Sequence, residues 1–91
     1  MSKIKIERAH DFGADAAKEK VTAIEGKLQE RYGVTLNWRG YDADVKGTGV
    51  SGAIAIAADN VTLELKLGLL LRPLAGKIQS GIEGALEKAL G

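Results

Sequence analysis

The 91-residue chain contains no cysteine, one proline and one histidine, and Phe, Trp and Tyr together make up 4% of it. Without cysteine no disulfide and no thiolate metal site can form, and a reducing compartment suits the chain. With one histidine and no cysteine, neither a zinc site nor a Cys–His pair can be assembled. Excess charge of either sign is also missing. Thirteen basic residues stand against twelve acidic ones, with the signs interleaved, which argues against a nucleic-acid partner. The longest apolar run is far too short to span a bilayer. No apolar h-region is visible near the N-terminus, so no secretory signal is expected and a cytoplasmic protein is. The length fits one domain, residues 1–91, with a thin stability margin.

What is present centres on Val61–Pro73. Val61, Leu63, Leu65 and Leu67 alternate with Thr62, Glu64 and Lys66, the period of a strand with one buried and one wet face. After Gly68 the alternation gives way to Leu69-Leu70-Leu71. Pro73 then opens a predicted helix to about Ala89, with Leu74, Ile78, Ile82 and Leu86 on one stripe, Pro73 at the first helical position and Arg72 as a poor N-cap. Gly76, Ser80 and Gly84 lie opposite that stripe. Upstream, Lys3–Arg8 alternates as a first strand with Ile4 and Ile6 inward. Asp11 is the expected N-cap of a helix ending near Tyr32, closed by Gly33, with Ala14, Ala17, Val21, Ile24, Leu28 and Tyr32 on its apolar stripe. Thr35–Arg39 reads as a second strand, followed by a turn at Gly40–Asp42. Ala43 and Val45 face inward on a third strand, and Ile54 and Ile56 face inward further on. Positions 45 and 54 differ in parity, so one unbroken strand cannot bury both pairs. Gly47, Gly49 and Gly52 supply either a hairpin turn or a bulge, and the sheet accordingly has four or five strands.

Few residues suggest chemistry. Gly47-Thr48-Gly49-Val50-Ser51-Gly52 matches G-x-G-x-x-G, but a strand rather than a helix is predicted after it, which favours a turn or bulge over a dinucleotide loop. Asp42, Asp44 and Gly47 fall at calcium-loop positions, yet Lys46 occupies a ligand position and Ala53 stands where a bidentate Glu belongs. His10, beside Asp11, has Ser51 and Ser80 as formal partners for a hydrolytic triad, without nucleophile-elbow spacing; a turn or capping role is the plainer reading. Lys18, Lys20, Lys27 and Arg31 read as a solvated helix face. No catalytic, metal or cofactor site is therefore expected. The favoured reading of the leucine corner buries all three leucines. The other leaves one or two exposed, making Leu69, Leu70, Leu71, Arg72 and Leu74 a candidate interaction surface. Ala53, Ala55, Ala57, Thr62, Glu64 and Lys66 form a flat outer sheet face, a candidate for weak self-association.

His10 with Gly13, Arg31-Tyr32-Gly33, Trp38, Gly40, Gly49-Val50-Ser51-Gly52, Leu63–Gly68, Leu70-Leu71, and Pro73 with Gly76-Lys77-Ile78 together resemble the polyhydroxyalkanoic acid system proteins. This small bacterial family is found in gene clusters for polyester storage granules. The likeness covers nearly the whole chain and rests on framework residues. Two departures stand out: the family usually has Ser before the proline, where Arg72 stands here, and often a larger side chain where Ala43 and Val45 stand. The resemblance implies a role connected with granules or granule proteins and carries over no catalytic residue. The expected fold is α+β, a mainly antiparallel sheet with both helices on one face. The first and second strands would be parallel if they are neighbours. The order of elements also looks like a shortened helix-grip domain. The expected function is a non-catalytic, granule-associated accessory protein. The alternatives are a small module binding a hydrophobic ligand between helices and sheet, and an RNA-binding domain.

Overall fold

Alternation decides the sheet. Ile4 and Ile6, Leu36, Ala43 and Val45, Val50, Ile54 and Ile56, and Val61, Leu63, Leu65 and Leu67 occupy every second position of their strands, and all are buried. The computed structural model describes residues 2–90. It contains β1 (Ser2–Ala9), α1 (Ala14–Tyr32), β2 (Thr35–Arg39), β3 (Asp42–Gly47), β4 (Val50–Ile56), β5 (Asn60–Leu67), a 3₁₀ segment (Leu69–Leu74) and α2 (Ala75–Leu90). The five strands are antiparallel throughout, in the order β1-β5-β4-β3-β2. Both helices cover the apolar face, α1 towards β2 and β4 and α2 over β1, and they pack on each other. The fold is α+β.

The parity change between Val45 and Ile54 comes from a hairpin. Gly47 pairs with Val50 around Thr48-Gly49, and Gly49 takes φ 75°, a conformation that glycine adopts freely. The sheet therefore has five strands. β1 and β2 occupy opposite edges, so a parallel pairing between them does not arise; β1 instead pairs with β5, Ile4 opposite Leu65 and Ile6 opposite Leu63.

The ends of α1 behave differently from each other. Gly33, with φ 65° and ψ 28°, donates its N–H to the Gln29 carbonyl and closes the helix as its sequence position predicts. At the other end Asp11 is not the N-cap. Gly13, at φ 83°, turns the chain into the helix and accepts the Ala17 N–H at 3.1 Å, which leaves Asp11 two residues too early. Trp38 Nε1 donates to Glu25 at 2.9 Å, Lys18 Nζ donates to the Gly40 carbonyl at 2.6 Å, and the Tyr41 hydroxyl donates to Asp15. These bonds fasten α1 to the β2–β3 hairpin. Arg8 and Glu83, 3.1 Å apart, fasten β1 to α2.

The approach to α2 also departs from expectation. Pro73 is not its first residue and Arg72 is not its N-cap, because the chain is already helical from Leu69. Gly68, extended at φ −70° and ψ 173°, precedes the segment, and the Leu71 N–H bonds to the Gly68 carbonyl at 3.1 Å. A proline ring crowds the carbonyl four residues back and removes a donor, so this turn tightens to 3₁₀ before α2 begins at Ala75.

Candidate functional site

Two features lie next to each other where the 3₁₀ segment meets the sheet. The first is the leucine corner. The favoured reading of three buried leucines is incorrect: Leu69 is 82% exposed and Leu70 92%, while Leu71 turns inward. Tightening to three residues per turn separates them, since successive side chains then point about 120° apart and one segment cannot bury three in a row. Leu74 is 43% exposed and Arg72 is exposed. Of the candidate surface residues, Leu69, Leu70, Arg72 and Leu74 reach solvent and Leu71 does not do so fully. The corner is anchored to the β3–β4 turn, for Gly68 donates its N–H to the Gly49 carbonyl at 2.7 Å.

The second feature is a cleft of about 410 Å³ between the helices and the sheet. Leu36, Val45, Val50, Ile54, Leu63 and Leu65 form its floor, Leu28, Tyr32, Ile78 and Ile82 its helical walls, and Leu71 and Leu74 the side nearest the corner. Arg31 and Lys77 are exposed and stand at its rim. Arg31 is in the last turn of α1, where a cation complements the negative end of the helix dipole. Tyr32 reaches across to α2: a Cβ at Gly81 would collide with the Tyr32 hydroxyl. Sequence reasoning placed Arg31 on a solvated face and gave Lys77 no role. The available signal was that Arg31 follows Leu28 by three residues and so flanks the buried stripe.

The other candidates disperse. The glycine motif is the β3–β4 hairpin and leads into a strand. Asp42 and Asp44 lie on β3 rather than in a loop, and Asp44 accepts a bond from Arg39 at 2.6 Å. His10 is a turn residue: its N–H bonds to the Asp59 carbonyl at 2.9 Å, and its Nδ1 accepts the Phe12 N–H at 3.2 Å. Its ring stacks on Phe12. Ser51 is exposed on β4 and Ser80 on α2. Lys18 lies 5.2 Å from the Trp38 ring centre and Lys20 4.5 Å from that of Phe12, so the basic side chains early in α1 are partly engaged in packing. Ala53, Ala55, Thr62, Glu64 and Lys66 share the outer sheet face, with Ala53 opposite Glu64 and Ala55 opposite Thr62, while Ala57 lies just past the end of β4 in the turn to β5. The three alanines and Lys66 are exposed, and Thr62 and Glu64 are half-buried.

The family model described as "Putative polyhydroxyalkanoic acid system protein" matches residues 4–90, from β1 through the end of α2. The chain belongs to this family. Among solved structures, the family member shares its fold with TTHA0849 from Thermus thermophilus, at a TM-score of 0.62 and 15% sequence identity. The match covers 98% of this chain and 94% of that one. No curated protein matches it. Among the described residues, no helix is long and apolar enough to cross a membrane.

Proposed function

We propose that this family member is a non-catalytic accessory protein of the polyhydroxyalkanoate system, attaching to storage granules through the leucine corner. The observation that supports the reading is the exposure of Leu69 and Leu70 beside half-covered Leu74. Large apolar side chains grouped at one exposed point mark contact sites in soluble proteins, and a polyester granule offers an apolar surface. Fully burying a leucine side chain contributes about 1.5–3 kcal/mol. Two nearly naked leucines therefore supply roughly 3–6 kcal/mol before orientational losses, near the roughly 4.1 kcal/mol of a millimolar contact. Attachment is weak and reversible, and it needs no detachment of α2, whose Ile82, Leu86 and Leu90 stay in the core. The single histidine, His10, is held within a turn, its Nδ1 accepting the Phe12 N–H and its ring stacked on Phe12.

The test is granule fractionation with tagged protein, in cells with and without other granule proteins, followed by purified protein on bare polymer. Binding to bare polymer that falls at least tenfold in Leu70→Asp supports direct attachment. Recovery on granules only when other granule proteins are present replaces the polymer with a protein partner such as a phasin or the polymer synthase. Absence from granules in every case refutes the reading.

A further inference from the structure

The cleft is apolar throughout and charged only at its rim. Its floor consists of buried aliphatic side chains, the polar residues around it are Arg31, Tyr32 and Lys77, and among the described residues no acidic one lines it. It adjoins a groove along the α1–α2 seam that passes Lys27 and Lys88 and again has no acidic residue in its lining among the described residues. In a chain of nearly balanced charge, Arg31 and Lys77 thus stand at the cleft, and Lys27 and Lys88 line the adjoining groove. The ion pairs among the described residues use Lys3, Lys5, Arg8 and Arg39 and none of these four. The volume of about 410 Å³ falls within the ~300–1,000 Å³ of small-molecule sites. Unfilled apolar space weakens a core, and an apolar guest restores the missing contacts.

We propose that the cleft binds a single-chain anionic amphiphile, its acyl tail against the accessible apolar walls at Leu71, Leu74 and Ile78 and its anionic head held at the rim by Arg31 and Lys77. The lining selects the tail. The cations select the head, the Arg31 guanidinium being suited to a carboxylate by its paired donors. The assignment rests on the cleft alone and is independent of granule attachment, which is measured separately.

The experiment titrates purified protein with straight-chain carboxylates from hexanoate upward, kept below their critical micelle concentrations, by calorimetry and by methyl NMR. Affinity is expected to rise about fourfold per added methylene and to level off once the tail fills the cleft. The alcohol of equal length is expected to bind at least tenfold more weakly, and the alkyltrimethylammonium more weakly still. Arg31→Gln with Lys77→Gln should lower carboxylate affinity to that of the alcohol while leaving the alcohol's own affinity in place; Lys46→Gln, away from the cleft, should change neither. Methyl shifts centred on Leu71 and Ile78 support the location. Ile78→Trp, which fills the cleft, should abolish binding; if it does not fold, the methyl shifts decide. Equal affinity for carboxylate, alcohol and ammonium overturns the proposal. So do shifts confined to Leu69 and Leu70, or an absence of saturable binding at every chain length.

Discussion

At the residue scale, the glycines separate positions where a side chain is impossible from positions where it is merely missing. A Cβ at Gly52 would collide with the Glu64 carbonyl oxygen and stand 2.9 Å from the Leu65 Cα, and the backbone of a paired strand cannot step aside. Gly52→Ala is expected to lower stability by about 2–3 kcal/mol, seen as a lower urea midpoint at unchanged slope. Gly84 lies inside α2 with nothing within 4 Å of its would-be Cβ. Gly84→Ala is expected to raise stability by about 1 kcal/mol, the propensity difference between the two residues, in the same urea measurement. Tyr41 provides a pH-dependent case. Its hydrogen bond to Asp15, and the negative charge there, push the phenol above its ordinary value of 10.0. The folded state therefore keeps a proton that the unfolded state releases first. The stability carried by this bond is fully present below pH ~10 and is lost as pH rises through the higher folded value. Asp15→Ala, in a Tyr32→Phe background, should return the tyrosinate absorbance transition towards its ordinary position. An unchanged transition would show that Asp15 is not the cause.

At the element scale, the 3₁₀ segment distinguishes neighbouring leucines. Leu70→Asp touches a side chain already in water and is expected to change stability by less than about 0.5 kcal/mol. Leu71→Asp places a carboxylate at the wall of the cleft and is expected to cost about 2 kcal/mol or more, both read from urea midpoints. The same segment marks where the sequence ceased to be informative. Period-two alternation at Ile4/Ile6, Ala43/Val45 and Val61–Leu67 made the strands readable, because a one-residue slip would turn a whole face outward. Gly33 was readable because a left-handed helix end favours glycine. The Gly13 cap was not, since Asp11 offered a better capping side chain at a position that backbone geometry bypassed. Leu69-Leu70-Leu71 could not be resolved because an apolar run has no period, and only the tightening before Pro73 decides which of the three turns inward. The cleft was legible only as the possibility of a greasy space between helices and sheet. Its cationic rim joins Arg31 to Lys77 from two helices, a juxtaposition that tertiary packing alone creates.

At the scale of the whole molecule, the sheet has one covered and one uncovered face. The uncovered face carries Ala53 and Ala55, with Ala57 at the turn just beyond, flanked by charged residues; Lys3 and Glu64 lie 3.6 Å apart there. Alanines release little apolar area, so weak self-association through this face is expected, with sedimentation showing monomer at low micromolar concentration. A tight dimer at nanomolar concentration would contradict this. The pairing of β1 with β5 has a consequence during synthesis. Strands β2 to β5 are joined to their neighbours by short turns and can zip together as they emerge, whereas Ile6 and Ile4 of β1 have no partners until Leu63 and Leu65 of β5 have been made. At ~5–20 residues per second, Ile4 and Ile6 remain uncovered for several seconds. Contacts this distant in sequence form slowly in refolding too. Lys3, Lys5, Glu7 and Arg8 surround the two isoleucines in that interval, and charges so placed discourage a nascent strand from pairing with another chain. The polar residues of β1 thus act as gatekeepers while its partner strand is still being translated.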